Sequence, residues 1–348
     1  MEILIKNGHI WDGHRFFDGD IRIKDGLIAE ISPSIAGTFH FTYDAAGKLV
    51  TPGLVDIHMH MRGLSGPEYD IPTEAACFPF GVTAAADAGA RLGSPEIMAQ
   101  IAVKNAVFVA TRVVHDHLDV ETTEKRLRQY DGQALGVKLF FDETSPHVTG
   151  IGILQEVCAF ARQKGVKVMV HCNHSPCSML QIVETLAPGD ILSHIYHGGK
   201  NTCLEEDFAA LKLARQKGVI LDAAFAGHVH TDFGILQTAI KAGFSPDTIS
   251  TDITKSSAFM RGGRYGMTMC MSIARTAGMA EEEILRCVTV NPAKALGKDW
   301  GTLEVGKTAD LAVLEYTDEG FSLRGGFESK SGYRCCLTVA DGIVVHRN

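Results

Sequence analysis

No stretch of this sequence is apolar for long enough to span a bilayer. The opening residues, MEILIKNGHIWDG, alternate like a strand and lack the apolar run and small-residue cleavage site of a signal peptide. Long basic or acidic runs are absent, and the formal net charge is −8. That balance argues against nucleic acid or an anionic membrane surface as the main partner. It leaves room for a small anionic substrate, because a pocket can be positive on an acidic protein. Cysteine is sparse and scattered; nine residues, an odd count, cannot all pair internally. With no secretion signal beside them they read as reduced thiols of a cytoplasmic protein. Also missing are low-complexity segments and any extended repeat beyond an alternation of strand-like and helical stretches.

The 348 residues are enough for one large domain with a modest accessory domain, and 45% hydrophobic with 21% charged residues is ordinary for a globular protein with a deep core. Both ends of the chain read as short β-strands. ILIKNGHI, GDIRIKDGLIAEI and FTYDAAGKLV open it, with Asp25-Gly26 as a hairpin signal; DLAVLEY, CLTVADG and IVVHR close it. Residues 1–49 and 300–348 are therefore expected to build one small β-sandwich-like domain from both termini. Between them, eight strand-like runs alternate with helical stretches: LVDIHMH, VTAAADAG, VFVATRVVH, ALGVKLFF, VKVMVHC, DILSHIY, GVILDAA and TISTD. That pattern predicts an α/β fold, a closed parallel (β/α)₈ TIM barrel over residues 50–299. An open doubly wound sheet would bring GxGxxG after its first strand, and none is there. MAEEEILRCVTVNPAKALG reads as a closing helix.

The chemistry-bearing residues fall at strand ends. His58 and His60 lie two apart in LVDIHMH, so both face one side of a strand and can bind one metal. The spacing alone is weak, since His115-Asp116-His117 and His228-Val229-His230 share it. Position distinguishes the first pair. It ends the first barrel strand and is followed by Lys138, His171, His194 and Asp252, each at the end of a later one. Taken singly, each has an ordinary alternative: a hydrogen-bonded core histidine, a salt-bridged lysine, a helix N-cap aspartate. Taken together, at the strand ends where barrel enzymes hold their chemistry, they make a poor coincidence.

TPGLVDIHMH, the later Lys, His, His and Asp, and the terminal GTLEVGKTADLAVL resemble the amidohydrolase superfamily over nearly the whole chain. GVTAAADAGA, LAPGDILSHIYHG, the Gly-His of AFAGHVH, and TISTDI are similar to a narrower group, the dihydroorotase-like amidohydrolase/deacetylase family of metallohydrolases. The resemblance implies a binuclear centre. His58, His60 and Asp252 would hold one divalent metal, His171 and His194 the second, with Lys138 bridging both as a carbamate derived from carbon dioxide. Zinc suits those imidazole and oxygen donors, and the ions would sit about 3.5–4 Å apart with a bridging hydroxide as nucleophile. Asp252 would also act as the catalytic proton carrier.

Neighbouring residues invite further readings. In HCNHSPC only His171 is taken as a ligand, not the zinc knuckle that Cys172, His174 and Cys177 would complete. Cys335 and Cys336 face opposite ways in a strand and receive no redox role. Arg62, two beyond His60, and His228, in the Gly-His element, are candidates for substrate binding; a similarly placed arginine binds the substrate carboxylate in dihydroorotases. His115 and His117 are weaker candidates.

The expected activity is metal-dependent hydrolysis of an amide or ester bond in a small, carboxylate-bearing molecule, with deacetylation as one form. The alternative is a cyclic-amide hydrolase of the dihydroorotase or hydantoinase kind. Those enzymes follow the eighth-strand Asp with a His- and Pro-containing stretch, whereas Asp252 is followed by ITKSSAF. A Schiff-base aldolase using Lys138 would leave the histidines unexplained. A non-catalytic relative would have lost ligands, and none is missing. A small-molecule substrate is the expected partner, with no nucleic acid and no membrane; a homo-oligomer is left open.

Overall fold

Alternating runs at the two ends of the chain pair with one another. Across one sheet lie, in order, Ile343–Arg347, Gly332–Ala340, Leu311–Thr317, Leu49–Pro52, Glu2–Trp11, Phe16–Lys24 and Leu27–Ser32, with Phe41–Asp44 also beside Glu2–Trp11. Asp25 and Gly26 turn the hairpin between two of them at φ 51° and 85°, the positive values a tight two-residue turn requires. Ile3, Ile5, Ile21, Ile23, Val50 and Leu337, among others, give this sheet an apolar cluster of its own. This computed structural model describes residues 1–145, 147–260, 265–323 and 327–348, and for His228, Phe259 and Met260 the backbone alone.

The middle of the chain forms a second sheet, parallel and seven-stranded. Its strands are Leu54–Met59, Val82–Ala90, Lys104–Ala110, Ala134–Phe140, Lys167–His171, Ile191–Ser193 and Ile220–Asp222, each beside its successor in sequence. Every crossing carries a helix. Two of these helices, Ile151–Lys164 and Glu205–Lys217, end on the repeated Arg-Gln-Lys-Gly; Gly165 and Gly218 sit there at φ 68° and 74°, the left-handed caps only glycine supplies cheaply.

Period two then sorts the side chains. Val137, Leu139, Val168 and Val170 join the large cluster that includes the helices. Phe108, Met169 and Ile191, with Ala84, Ala86, Ala88 and Ala106, form a separate cluster. Met169 is paired with Lys138 and lies two residues before His171, so that apolar cluster packs beneath the candidate site on the same face.

The eighth run differs from expectation. TISTD is not a regular strand. Its segment is bridged once to each edge of the sheet, Thr248 to Asp222 and Ile253 to Met59. Backbone bonds continue on both sides: Ala223 and Phe225 donate to Thr248 and Ser250, while Asp252 donates to the His58 carbonyl at 2.6 Å. Asp252 itself sits at φ 46°, outside the extended region, and this interrupts a ladder. The expected closing helix is likewise two, Glu281–Val288 and Val290–Leu296. Pro292, lacking an N–H to continue the first, explains the break at Thr289. No helix among the described residues is long and apolar enough to cross a membrane.

Candidate metal centre

Four parallel strands and the Thr248–Ile253 segment bring the six expected ligands to one place. Asp252 is the hub. Its Oδ1 lies 3.4 Å from His58 Nε2 and 3.2 Å from His60 Nε2; its Oδ2 lies 3.8 Å from His194 Nε2. Lys138 Nζ is 3.1 Å from His58 Nε2. The His171 ring centroid is 4.4 Å from that of His194. His58, His60, Lys138, His194 and Asp252 are buried, and His171 is half-buried at the mouth.

Each imidazole is held by its other nitrogen. His58 Nδ1 faces Ser193 Oγ at 3.1 Å and Asp222 Oδ2 at 3.3 Å. Asp222 is fixed in turn by the hydroxyls of Thr248 and Ser250. His60 Nδ1 donates to Ser65 Oγ at 2.8 Å, and Ser65 donates to Asp87. His194 Nδ1 donates to the Ala224 carbonyl at 2.8 Å. For His171 the polar contact is made by Nε2, which faces Asp142 Oδ2 at 3.4 Å. Outer partners of this kind fix the tautomer and aim a lone pair inward, as metal-binding histidines require.

Among the described residues, two nitrogens of the clustered imidazoles have no partner. His194 Nε2 and His230 Nδ1 are buried without a hydrogen bond, which is costly unless something else satisfies them. Two ligand groups lie within coordinating reach, one of His58, His194 and Asp252, the other of His171, His194 and His230. The orphaned nitrogens and the clustered carboxylate fit a divalent cation.

Electrostatics agree. Burial, with the nearby Lys138 cation, pulls His58 down to about 4; burial and His171 do the same to His230. Both therefore present neutral rings at physiological pH. Burial lowers Lys138 to about 8 against the pull of Asp252 and Asp222. Burial works to raise the Asp252 carboxyl, but His58 and His60 hold it well below the usual carboxylate range.

A model of the Amidohydrolase family matches residues 49–330. The chain belongs to the amidohydrolase family. A deacetylase of Enterococcus faecalis is 27% identical over 335 residues, covering 90% of this chain and 89% of the relative. A deacetylase of Agrobacterium fabrum is 26% identical over 318 residues, 84% of this chain and 77% of its own. The crystal structure of a dihydroorotase superposes with a TM-score of 0.87 at 22% identity, covering 100% of this chain and 99% of that one. This amidohydrolase is thus dihydroorotase-like in fold.

The other expected residues fare differently. Arg62 is exposed, because the chain turns at Met61–Leu64 instead of continuing the alternation. The His228 side chain lies outside the described residues. Its neighbour His230, passed over in the same motif, has Nε2 3.7 Å from Asp252 Oδ2. The signal for it was the second histidine of His-Val-His, which no periodicity favoured over the first. His117 is exposed and paired with Glu156, and His115 packs against His147. Of HCNHSPC only His171 joins a ligand group; Cys172 is buried with Sγ on the Ser193 carbonyl. All nine cysteines are free thiols.

Proposed function

We propose that this amidohydrolase is a metal-dependent hydrolase that cleaves an amide or ester bond in a small, carboxylate-bearing molecule, with deacetylation as the favoured reaction. The observation that carries the reading is the inward convergence of buried imidazole nitrogens on Asp252, each locked from behind by a separate polar partner. On this reading the seven strands and the Thr248–Ile253 segment constitute a (β/α)₈ barrel within residues 50–299, and residues 1–49 with 300–348 an accessory β-domain of a cytoplasmic enzyme.

His58, His60, Lys138, His171, His194 and Asp252 would hold two divalent ions, zinc by donor type. Bound there, the ions would polarise a substrate carbonyl and make a nucleophile available near neutral pH. The chain's own groups do the rest. Lys138, lowered by burial to about 8, has a larger neutral fraction than an ordinary lysine; that amine could add carbon dioxide, with loss of one proton to solvent, and the resulting carbamate would supply anionic oxygens to the ions. Asp252 is the group that carries a proton from nucleophile to leaving group, since the imidazoles among those six would be engaged at both nitrogens. Ser65, Asp87 and Asp222 hold the ligands in place.

Deacetylase relatives cover 90% and 84% of the chain at 27% and 26% identity, and they favour acyl removal. Cyclic-amide hydrolysis is the second reading, supported by a dihydroorotase of Aquifex aeolicus 22% identical across 92% of the chain. The test is elemental analysis together with turnover on N-acyl amino acids, acyl hydroxy acids and cyclic amides. About two divalent ions per chain and turnover of an acyl substrate are expected. One ion or none, after growth with zinc and bicarbonate, would overturn the binuclear reading; turnover of cyclic amides alone would replace the first activity by the second.

A further inference from the structure

Beside the centre opens a pocket of about 650 Å³ whose lining includes three arginines, Arg91, Arg112 and Arg126, and, among the described residues, no carboxylate. On a chain of net charge −8 that is a local reversal of sign. The three come from separate places: Arg91 follows the second parallel strand, Arg112 the third, and Arg126 sits on the helix Val120–Gln129.

Among the described residues their donors are largely unspent. Arg91 gives one hydrogen bond to Glu68 at 3.1 Å, and Arg112 lies 3.4 Å from Asp119; Glu68 is exposed, so its pair is weak. Arg126 is half-buried and donates to the Ala110 carbonyl at 2.6 Å, with no carboxylate partner among the described residues. Burial, then Arg91 and Arg112, lower its pKa, the signature of like charges held together. A guanidinium carries five N–H donors in a planar fork suited to oxyanions. Three such forks exceed what one carboxylate with two oxygens can accept, and suit the three terminal oxygens of a phosphate.

The pocket also adjoins the centre. The Arg91 guanidinium lies over the rings of Tyr69 and Phe140, 5.4 and 5.7 Å from their centroids. Those rings in turn sit 5.4 Å from His60 and 5.8 Å from His171. One aromatic layer separates anion donors from metal donors.

We propose that Arg91, Arg112 and Arg126 form a subsite for a doubly charged oxyanion, by class a phosphate monoester, carried by the substrate away from the bond that is cleaved. The hydrolase reading decides only what the anion is attached to; the subsite itself is tested by binding. Inorganic phosphate is titrated calorimetrically into metal-loaded protein at low ionic strength, with sodium acetate as the monovalent control. Saturable phosphate binding in the millimolar range or tighter is expected, with acetate weaker. Arg126→Gln and Arg91→Gln should each weaken phosphate by about tenfold or more, with metal content and Tm unchanged. Binding that neither variant weakens would place the phosphate on the metals and overturn the subsite. So would no binding, or equal affinity for acetate. In a second arm, kcat/KM is compared for acetylated compounds with and without a phosphate. The variants should depress the phosphorylated member about tenfold more than the unphosphorylated one. If no compound turns over while the titration behaves as expected, the subsite stands and the hydrolase reading fails; if turnover occurs with no preference that the variants erase, the subsite fails and the hydrolase reading stands.

Discussion

Replacing Asp222 by Asn tests whether the ligands are set from behind. Asp222 is completely buried, 3.3 Å from His58 Nδ1 and clasped by the Thr248 and Ser250 hydroxyls at 2.9 and 2.7 Å. As a carboxylate it can only accept, so His58 must carry its proton on Nδ1 and keep the Nε2 lone pair inward. Asn fills the same volume. Its Oδ1 can go on accepting from the two hydroxyls, which leaves its amide N–H₂ facing His58. The imidazole must then accept at Nδ1 and move its proton to Nε2, the atom nearest Lys138 and Asp252. A protonated Nε2 cannot ligate a cation. Losing an outer partner of this kind costs about 10–100-fold in metal affinity, or about 1.4–2.7 kcal/mol. The Tm of the metal-free protein should change little, since no cavity and no unpaired hydroxyl is made. Chelator competition gives the affinity, and elemental analysis gives the occupancy. Ser193 Oγ, 3.1 Å from the same nitrogen, could preserve the tautomer by accepting in place of Asp222. The Ser193→Ala, Asp222→Asn double variant removes that route. Wild-type metal affinity in the double variant would refute the tautomer argument.

Three further outcomes are expected. Lys138→Ala should lose the bridging anion and with it much of the bound metal by elemental analysis; unchanged occupancy would show that Lys138 is no bridge. Asp252→Asn keeps an oxygen for the metal but removes the proton carrier, so metal should be retained while kcat falls at least about 100-fold; near-normal turnover would leave Asp252 a ligand only. Metal-free protein should lose stability as pH falls from about 6.5 toward 4. His58, His197 and His230 are lowered to about 4, chiefly by burial, so the unfolded chain binds more protons throughout that window. Their contribution is complete above about pH 6.5 and gone near pH 4, at most about 3 kcal/mol for each ring. Asp56 and Asp87, raised by burial to about 7 and about 6, take up protons in the folded chain over the same window and offset part of this loss. Denaturant titrations across pH measure the net, and a stability that rises as pH falls would contradict the buried neutral rings.

The sequence carried the parts of the centre that local geometry dictates. Alternation put His58 and His60 on one side, and strand ends marked Lys138, His171, His194 and Asp252; all six meet. It also disclosed the Asp25-Gly26 turn and seven of the eight parallel runs. The eighth misled because TISTD looks extended, while the backbone at Asp252 is not. The partners behind the ligands were hidden for a different reason. Asp222 serves His58 from 164 positions away, and only the curl of the sheet joins them. The arginine pocket was obscured similarly: three long side chains from separate elements converge with no spacing to announce it, and Arg62, which had the spacing, points elsewhere. His230 was missed because irregular backbone follows the Ile220–Asp222 strand, where neither period applies.

The Thr248–Ile253 segment has a consequence beyond catalysis. It hydrogen-bonds to both edges of the parallel sheet and carries Asp252, whose carboxylate meets side chains from the first strand. A cation held there ties residue 58 to residue 252 and acts as a clasp across the longest loop in the domain, where closing the chain costs most entropy. At a free concentration a thousand times its dissociation constant, such a clasp adds about 4 kcal/mol to folding. Trace-metal supply would then determine the lifetime of this protein in the cell as well as its rate, and starvation for the ion would mark apo chains for proteolysis at that seam first.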